Sequence, residues 1–384
     1  MRESVADDVI IITRFFYPAV SIDSTSSLQM AEELQKRLGR AKVVLVTSDN
    51  LYKSNQAKVG FQQNFETHYV HSYYRGNRKA LKFLFGLFEG YLLVKKAKEL
   101  KIRNIITLTN PPLINVWCSL FFNNRTWFYW AFDLYPEALV SSKLLKTTNI
   151  IVKVSNWILM KRVPDYLIAL GKQQAKYLEV KFQKTIKSVI LPCGIQTVYP
   201  VVKQPSWKID EEQIYLGYVG NIGIAHSVTF LERIIDAVKN IGSLQLILSI
   251  YGEHAGYIKS LVSPSTSNIV FIDSIPRDEL QFIDIHIVSL QPEWTHVSVP
   301  SKAVSAICAG GALLFYGDEQ SDTWQMFDQA SWRISNFGEI PDFMNTIRRN
   351  EVQEKRCIAN EIAIQLLKDE DDSFEIISDL VKEK

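Results

Sequence analysis

The stretch SVPSKAVSAICAGGALLFYG, residues 298–317, shows most clearly how this 384-residue chain folds. Pro300 suits the first turn of a helix, and small side chains follow it as far as Gly310 and Gly311. The apolar run ALLFYG, residues 312–317, then has the composition of a buried strand. A short helix that leads directly into a buried strand indicates an α/β fold.

Lys302 stands near the start of this helix, where the helix dipole already places partial positive charge. A cation there is unfavourable for the helix alone, and a bound anion would offset the repulsion. Ser301 lies beside it, with a hydroxyl that suits a helix cap or a ligand contact. The segment fits an anion site, and it equally fits a packed strand–helix turn with a solvated lysine.

Short β-branched and aromatic runs recur along the chain at the spacing of parallel strands separated by helices. One set of strands is predicted at 9–13, 43–47, 104–109, 126–132, 166–170 and 188–192. A second set is predicted at 214–220, 244–252, 268–272, 283–290 and 312–317. The Pro-bearing polar passage 200–213 reads as a linker between two α/β halves, and the charged C-terminal tail reads as a helix.

Composition narrows the class of protein. The chain is 47% hydrophobic and 22% charged with a net charge of +2, which describes a globular protein and gives no support for nucleic acid as a partner. The cysteines form no C-x-x-C pair, so neither a zinc site nor a disulfide framework is indicated. The N-terminus does not resemble a signal peptide, and no apolar run reaches about 18 residues. We expect a cytoplasmic protein without a spanning helix.

A second candidate anion loop lies in LGYVGNIGIAHS, residues 216–227. Gly220 and Gly223 follow a predicted strand and let backbone amides approach a phosphate, and Asn221 lies between them. Glycines in such turns often serve geometry alone. Two loops of this kind at strand ends in one half nevertheless indicate a nucleotide diphosphate ligand.

Several segments of the sequence, taken in order, resemble those of a known family. The order GYVGNIG (217–223), SIYGEHAGYIKSL (249–261), NIVFIDSIPRDEL (268–280) and the Pro-Ser-Lys segment is similar to the donor half of GT-B glycosyltransferases. The first half resembles the acceptor half of glycosyltransferase family four through TNPPL (109–113), FDLYPEAL (132–139) and LPCGIQTVYP (191–200). Within that family the chain most resembles bacterial fucosaminyltransferase-type enzymes of surface polysaccharide synthesis.

The resemblance implies a GT-B fold with two Rossmann-like domains. Residues 1–203 would bind the acceptor, residues 204–365 would bind the donor, and the helix 366–384 would pack back on the first domain. The expected reaction moves a hexosyl or N-acetylhexosaminyl group from a nucleotide sugar, a UDP-sugar, to a lipid-linked or saccharide acceptor of lipopolysaccharide or capsule. We expect retention of configuration and no metal or other cofactor.

Residue roles follow from the resemblance position by position. Asp133 and Lys302 would be catalytic. The residues expected to bind the donor are Gly220, Asn221, Gly223, His226, Glu253, Ile275, Pro276, His296, Pro300, Ser301, Lys302 and Ser305. For the two histidines a packing role stays open, and for Glu253 a helix-capping role does.

The chain departs from the family pattern at several positions. Ser305 and Val297 stand where the family has glutamates, and Ile224 and Ala225 replace basic residues after the glycine loop. Phe132 replaces a basic residue before Asp133. These changes remove charge that would stabilise a leaving diphosphate. Two alternatives therefore stay open: a catalytically degenerate partner subunit and, with less support, a UDP-sugar 2-epimerase.

Residues 75–103 combine nine Lys or Arg with two Glu, a local charge of +7, around the apolar run FLFGLFEGYLLV (83–94). Basic flanks beside an apolar segment predict contact with the inner face of the cytoplasmic membrane. The basic residues expected to make that contact or to bind the acceptor are Arg78, Lys79, Lys82, Lys95 and Lys96. The alternative is an amphipathic helix packed against protein.

Overall fold

The computed structural model describes residues 7–16, 21–49, 65–76, 78–196, 203–263 and 266–383. The chain separates into two compact units. Unit 1 comprises Met1–Cys193 with Glu370–Lys384, and unit 2 comprises Gly194–Asp369.

Unit 1 alternates strands and helices. Its strands are β1 (Val9–Ile12), β2 (Val43–Ser48), β3 (Glu66–Val70), β4 (Asn104–Thr107), β5 (Thr126–Ala131), β6 (Tyr166–Ala169) and β7 (Lys187–Ile190). Its helices are α1 (Ile22–Leu38), α2 (Lys79–Glu99), α3 (Ile114–Phe121), α4 (Glu137–Ser141), α5 (Ile150–Lys161) and α6 (Lys172–Phe182).

Unit 2 repeats this alternation. Its strands are β8 (Ile214–Asn221), β9 (Leu244–Tyr251), β10 (Ile269–Phe271), β11 (Ile285–Ser289), β12 (Ala312–Tyr316) and β13 (Ser331–Ile334). Its helices are α7 (Val228–Val238), α8 (Ala255–Ser260), α9 (Ser301–Cys308), α10 (Asp322–Phe327), α11 (Ile340–Thr346) and α12 (Arg349–Lys382), the last of which ends in unit 1. Short 3-10 turns cover Arg277–Phe282, Pro292–Trp294, Asp328–Ala330 and Phe337–Glu339.

Both sheets are parallel. Among the described residues, unit 1 has the strand order β3-β2-β1-β4-β5-β6-β7 and unit 2 the order β10-β9-β8-β11-β12-β13. The central strands are buried along their whole length because helices cover both faces. The predicted α/β fold class is confirmed. The predicted strands are all present, whereas the edge strands β3 and β13 were not predicted because neither has a continuous apolar run.

The long helix α12 makes contacts inside each unit. In unit 2, the guanidinium of Arg356 donates to the carbonyl of Gly310 at 3.1 Å and pairs with the buried carboxylate of Asp284. In unit 1, Ser373 donates its hydroxyl to the carbonyl of Ile190 at 2.9 Å, and Asp371 pairs with Arg37. The charged tail thus uses its polar side chains for specific contacts on both sides of residue 369.

A buried ion pair joins α2 to the sheet of unit 1. The guanidinium of Arg14, just after β1, binds both carboxylate oxygens of Glu89 at 3.1 and 2.9 Å. The side chains are only 6% and 3% exposed, and Ser72 donates its hydroxyl to the same carboxylate at 3.2 Å. Glu89 therefore faces protein, although the sequence places it in the middle of the segment predicted to contact a membrane.

Breaking this pair should destabilise unit 1. Glu89→Ala leaves the Arg14 cation buried without its partner, and the free energy of unfolding should fall by about 3–5 kcal/mol. Glu99→Ala removes the exposed partner of Lys96 on the same helix and should change stability by less than about 1 kcal/mol. Urea denaturation of both variants measures the difference. Equal effects would show that the buried pair contributes no more to the free energy of unfolding than the exposed one.

Candidate functional site

In each sheet the strand order reverses direction at one place. The reversal lies between β1 and β4 in unit 1 and between β8 and β11 in unit 2. Helices leave neighbouring strands toward opposite faces there, which opens a crevice at the carboxyl ends of the strands. The side chains that follow these four strands are therefore the first candidates for ligand contact.

The glycine loop of unit 2 begins at the end of β8. Gly220 has a φ of 123°, a conformation that other residues rarely adopt. Gly252, after β9, has a φ of 106°, and a Cβ on it would lie 2.0 Å from Oδ1 of Asn221. Only glycine at position 252 lets the Asn221 side chain lie against this backbone. A Cβ on Gly223 would lie 3.0 Å from Nδ2 of the same side chain.

Lys302 reaches this loop from the start of α9. Its ammonium group donates to the carbonyl of Asn221 at 2.9 Å and to the hydroxyl of Tyr218 at 2.7 Å. It also lies 4.2 Å from the centre of the Tyr218 ring, and that hydroxyl donates to the Asn221 carbonyl at 3.2 Å. The structure thus brings together the two segments that the sequence proposed as one anion site.

Among the residues that the structure describes, no carboxylate lies within ion-pair distance of Lys302. Burial against neutral groups lowers the pKa of its ammonium group to about 7. At neutral pH the group is therefore close to half protonated. An anion placed beside it would raise this pKa and keep the group protonated. This behaviour is expected of a cation that binds an anionic ligand.

His226 is neutral at this site. Its Nδ1 lies 2.5 Å from the carbonyl of Ser289 at the end of β11, and burial, with a smaller contribution from Lys302, lowers its pKa to about 3. A neutral ring facing a carbonyl must donate from Nδ1, which leaves Nε2 as an acceptor. His226 thus brings no second positive charge to the loop.

Ser305, which stands where the family has a ribose-binding glutamate, makes a backbone contact. Its hydroxyl donates to the carbonyl of Gly194 at 2.9 Å. Gly194 has a φ of 96°, and a Cβ there would lie 2.7 Å from the carbonyl oxygen of Ser301. The side chain therefore fastens the first residues of unit 2 to α9.

The remaining predicted donor residues occupy varied positions in unit 2. Pro300 caps α9 and Ser301 begins it, while half-buried His296 lies in the loop before it. Glu253 is exposed in the turn before α8, and Pro276 is exposed before a 3-10 turn. Ile275 is different: it is 9% exposed and belongs to a core cluster with Trp207, Tyr215 and Leu280.

The crevice of unit 1 collects carboxylates. Asp133 follows β5 and donates its backbone N–H to Thr109 at 3.3 Å. Asp23, in the first turn of α1, accepts from Nδ2 of Asn110 at 2.9 Å. Burial, helped by the nearby charge of Asp133, raises the pKa of Asp23 to about 6. The sequence predicted Asp133 but missed Asp23, although an Asp at a helix start after the first strand was a usable signal.

The basic residues predicted to meet a membrane lie on α2 and before it. Arg78, Lys82 and Lys95 are exposed, and half-buried Lys96 lies 3.7 Å from Glu99. The side chain of Lys79 lies outside the described residues. Within the described part of the chain, no helix is both long and apolar enough to cross a bilayer, and no group of three potential metal ligands occurs.

Comparison with known proteins identifies the fold to which this geometry belongs. The sequence matches no protein-family model and no curated protein. The structure is similar to WaaG, a glycosyltransferase involved in lipopolysaccharide biosynthesis, with a TM-score of 0.66 and 14% identity over 98% of this chain and 100% of that one. The fold is GT-B.

Two further solved structures agree on this fold. Sucrose-phosphate synthase from Thermosynechococcus elongatus has a TM-score of 0.69 and 14% identity over 94% of each chain. HepE from Anabaena, solved with UDP and glucose, has a TM-score of 0.63 and 14% identity over 97% of this chain and 99% of that one. At such identities the likeness concerns the fold. The narrower resemblance to fucosaminyltransferase-type enzymes stays a prediction.

The pKa of Lys302 can be measured without any ligand. Competitive acetylation followed by mass spectrometry should show half-maximal labelling of Lys302 at about pH 7, because only the neutral amine reacts. The pKa of an ordinary lysine is about 10.4. The Lys302→Arg variant identifies the labelled peptide. A midpoint above pH 9 would mean that Lys302 is solvated like other lysines.

The ionised carboxylate of Asp23 should destabilise the folded protein. Its folded pKa of about 6 lies above the ordinary value of 3.8, so the native state favours the neutral carboxyl. The penalty is absent below about pH 4, grows as pH rises, and is complete above about pH 6. Asp23→Asn should therefore raise the free energy of unfolding at pH 7.5 by about 1–3 kcal/mol and leave it unchanged at pH 4. Urea denaturation at both pH values tests this, and destabilisation at pH 7.5 would contradict it.

Proposed function

We propose that this protein is a glycosyltransferase that takes a sugar from a nucleotide-sugar donor, a UDP-sugar, bound in unit 2. The observation that supports this most is the convergence of Lys302, the Gly220–Gly223 loop and the start of α9 at the switch point of a GT-B sheet. Backbone amides, a helix dipole and one cation that no described carboxylate neutralises suit a diphosphate. The neighbours that act on sugars share this fold.

In this proposal Lys302 holds the donor phosphates and stabilises the charge that develops as the diphosphate leaves. The bound phosphates would raise the pKa of Lys302 above 7, so the lysine would be fully charged when it is needed. Nε2 of His226 would accept a hydrogen bond from a sugar hydroxyl of the donor. The neutral histidine leaves Lys302 as the principal side-chain cation of the site.

Unit 1 would hold the acceptor. Asp133 and Asp23 lie at the carboxyl edge of its sheet, where their oxygens would accept hydrogen bonds from acceptor hydroxyls. We propose a lipid-linked or saccharide acceptor of bacterial surface polysaccharide, reached from the inner face of the cytoplasmic membrane. Retention of configuration and independence of metals belong to the same proposal, and NMR of the product and turnover in the presence of a chelator test them.

UDP binding tests the donor site directly. Lys302→Ala should weaken UDP binding at least about tenfold, because a charge-assisted hydrogen bond contributes about 1.5–3 kcal/mol. Wild-type affinity should fall as pH rises from 7 to 9, since the free protein must then take up a proton to bind. Lys302→Arg stays charged over this range and should lose the dependence. Isothermal titration calorimetry measures all three, and unchanged affinity in Lys302→Ala would refute this role.

A catalytically degenerate partner subunit is the second candidate. It is favoured by Ser305, whose hydroxyl is engaged with the Gly194 carbonyl where the family pattern has a ribose-binding glutamate. Both candidates bind a nucleotide sugar, and only the enzyme turns it over. Incubation with a panel of labelled UDP-sugars and a bacterial lipid extract separates them, because the degenerate subunit would bind donor and release no UDP.

A further inference from the structure

Helix α5 exposes an apolar face that the proposed function does not use. Ile150, Val154, Trp157 and Met160 are 69%, 44%, 60% and 40% exposed, although they alternate with buried positions on the same helix. Such a row of large apolar side chains costs free energy in water. Contiguous apolar surface bordered by polar groups marks a site of interaction.

The apolar surface continues across two neighbouring helices of unit 1. A groove of about 290 Å³ lies among α2, α3 and α5, and its lining is apolar except for Ser155. Each helix contributes to this lining: α2 with Leu87, α3 with Trp117 and α5 with Ile151. Tyr91 of α2 in turn packs on Trp117 with ring centres 5.4 Å apart. The exposed face and this groove together form what we name the α5 surface.

The segment that contains α5 carries charge of one sign. Residues 138–164 contain no Asp or Glu and five basic residues, Lys143, Lys146, Lys153, Lys161 and Arg162. The four lysines are exposed, whereas Arg162 pairs with Asp165. Lys161 lies 3.6 Å from the centre of the Trp157 ring on this surface. Lys98 lies 5.1 Å from the centre of the Phe121 ring, which packs on Trp117 of the groove. Long basic side chains beside tryptophan are typical of a helix lying in a membrane interface.

We propose that the α5 surface docks on an anionic lipid bilayer, with the outward side chains of α5 inserted among the lipids and its lysines at the headgroups. The proposal rests on the proposed function only in that a lipid-linked acceptor gives the protein a reason to be at a bilayer. It assigns the insertion to α5, whereas the sequence predicted the basic segment 75–103, which contains α2. From α2 the α5 surface includes Leu87, and Glu89 on the same helix is buried in protein.

The test uses the full-length chain and sedimentation with vesicles of phosphatidylcholine, alone or mixed with phosphatidylglycerol. Ile150→Ser, Val154→Ser and Trp157→Ser together should weaken partitioning onto the mixed vesicles at least about tenfold, because each apolar group inserted in lipid contributes. The matched control changes to Ser three apolar residues elsewhere that are more exposed than those on α5, Val180, Ile209 and Ile364, and should bind like wild type. Lys146→Ser, Lys153→Ser and Lys161→Ser together should abolish the preference for phosphatidylglycerol.

Brominated lipid provides a second measurement, because it quenches only tryptophans that enter the acyl region. It should quench the fluorescence of wild type more than that of Trp157→Phe. Full vesicle binding by the α5 triple-serine variant would overturn the proposal. So would a wild-type dimer in analytical ultracentrifugation that the same variant dissolves, with no binding to vesicles. UDP titration in solution reports separately on the proposed function, and the α5 variant should bind UDP like wild type.

Discussion

The strands of both sheets run parallel, and helices cover both faces of the central ones. A sheet covered in this way has no room for unpaired polar groups along its strands, so they collect where the strands end. In unit 2, the polar side chains to which we assign function lie after β8 and at the start of α9. In unit 1 they lie at the start of α1 and after β5. The same geometry explains why the site residues are dispersed along the sequence.

Lys302 illustrates how a half-buried cation surrounded by neutral groups can prepare a site. The described contacts of its ammonium group are a carbonyl and a phenol, two neutral acceptors, and no described carboxylate pairs with it. Arg14 illustrates the opposite arrangement. Its charge is matched by both oxygens of Glu89 in a buried pair, and its role is to attach α2 to the sheet. A buried cation is thus assigned to structure or to ligand binding by its partners, not by its residue type.

Sequence patterns located much of the candidate site. The glycine loop and the Pro-Ser-Lys segment are local signals, because the φ of Gly220 and the position of Pro300 at the start of α9 depend on adjacent backbone. Asp23, Tyr218 and the neutral state of His226 were not predicted. Tyr218 lies within an apolar strand, where its hydroxyl gives no sequence signal. The state of His226 depends on Ser289 and on burial by residues far along the chain.

By itself, the sequence determined the alternation of strands and helices and the presence of two α/β halves, and it indicated the segments that we propose to bind a ligand. These features follow from periodicity and turn chemistry over a few residues. Only the tertiary structure decided which charges are paired with an opposite charge and which, among the described residues, are not. Arg14 pairs with Glu89, which lies 75 positions further along the sequence, and Lys302 donates to Tyr218, which lies 84 positions before it. Such pairings and the burial that sets each pKa arise from packing between distant segments, which local patterns do not encode.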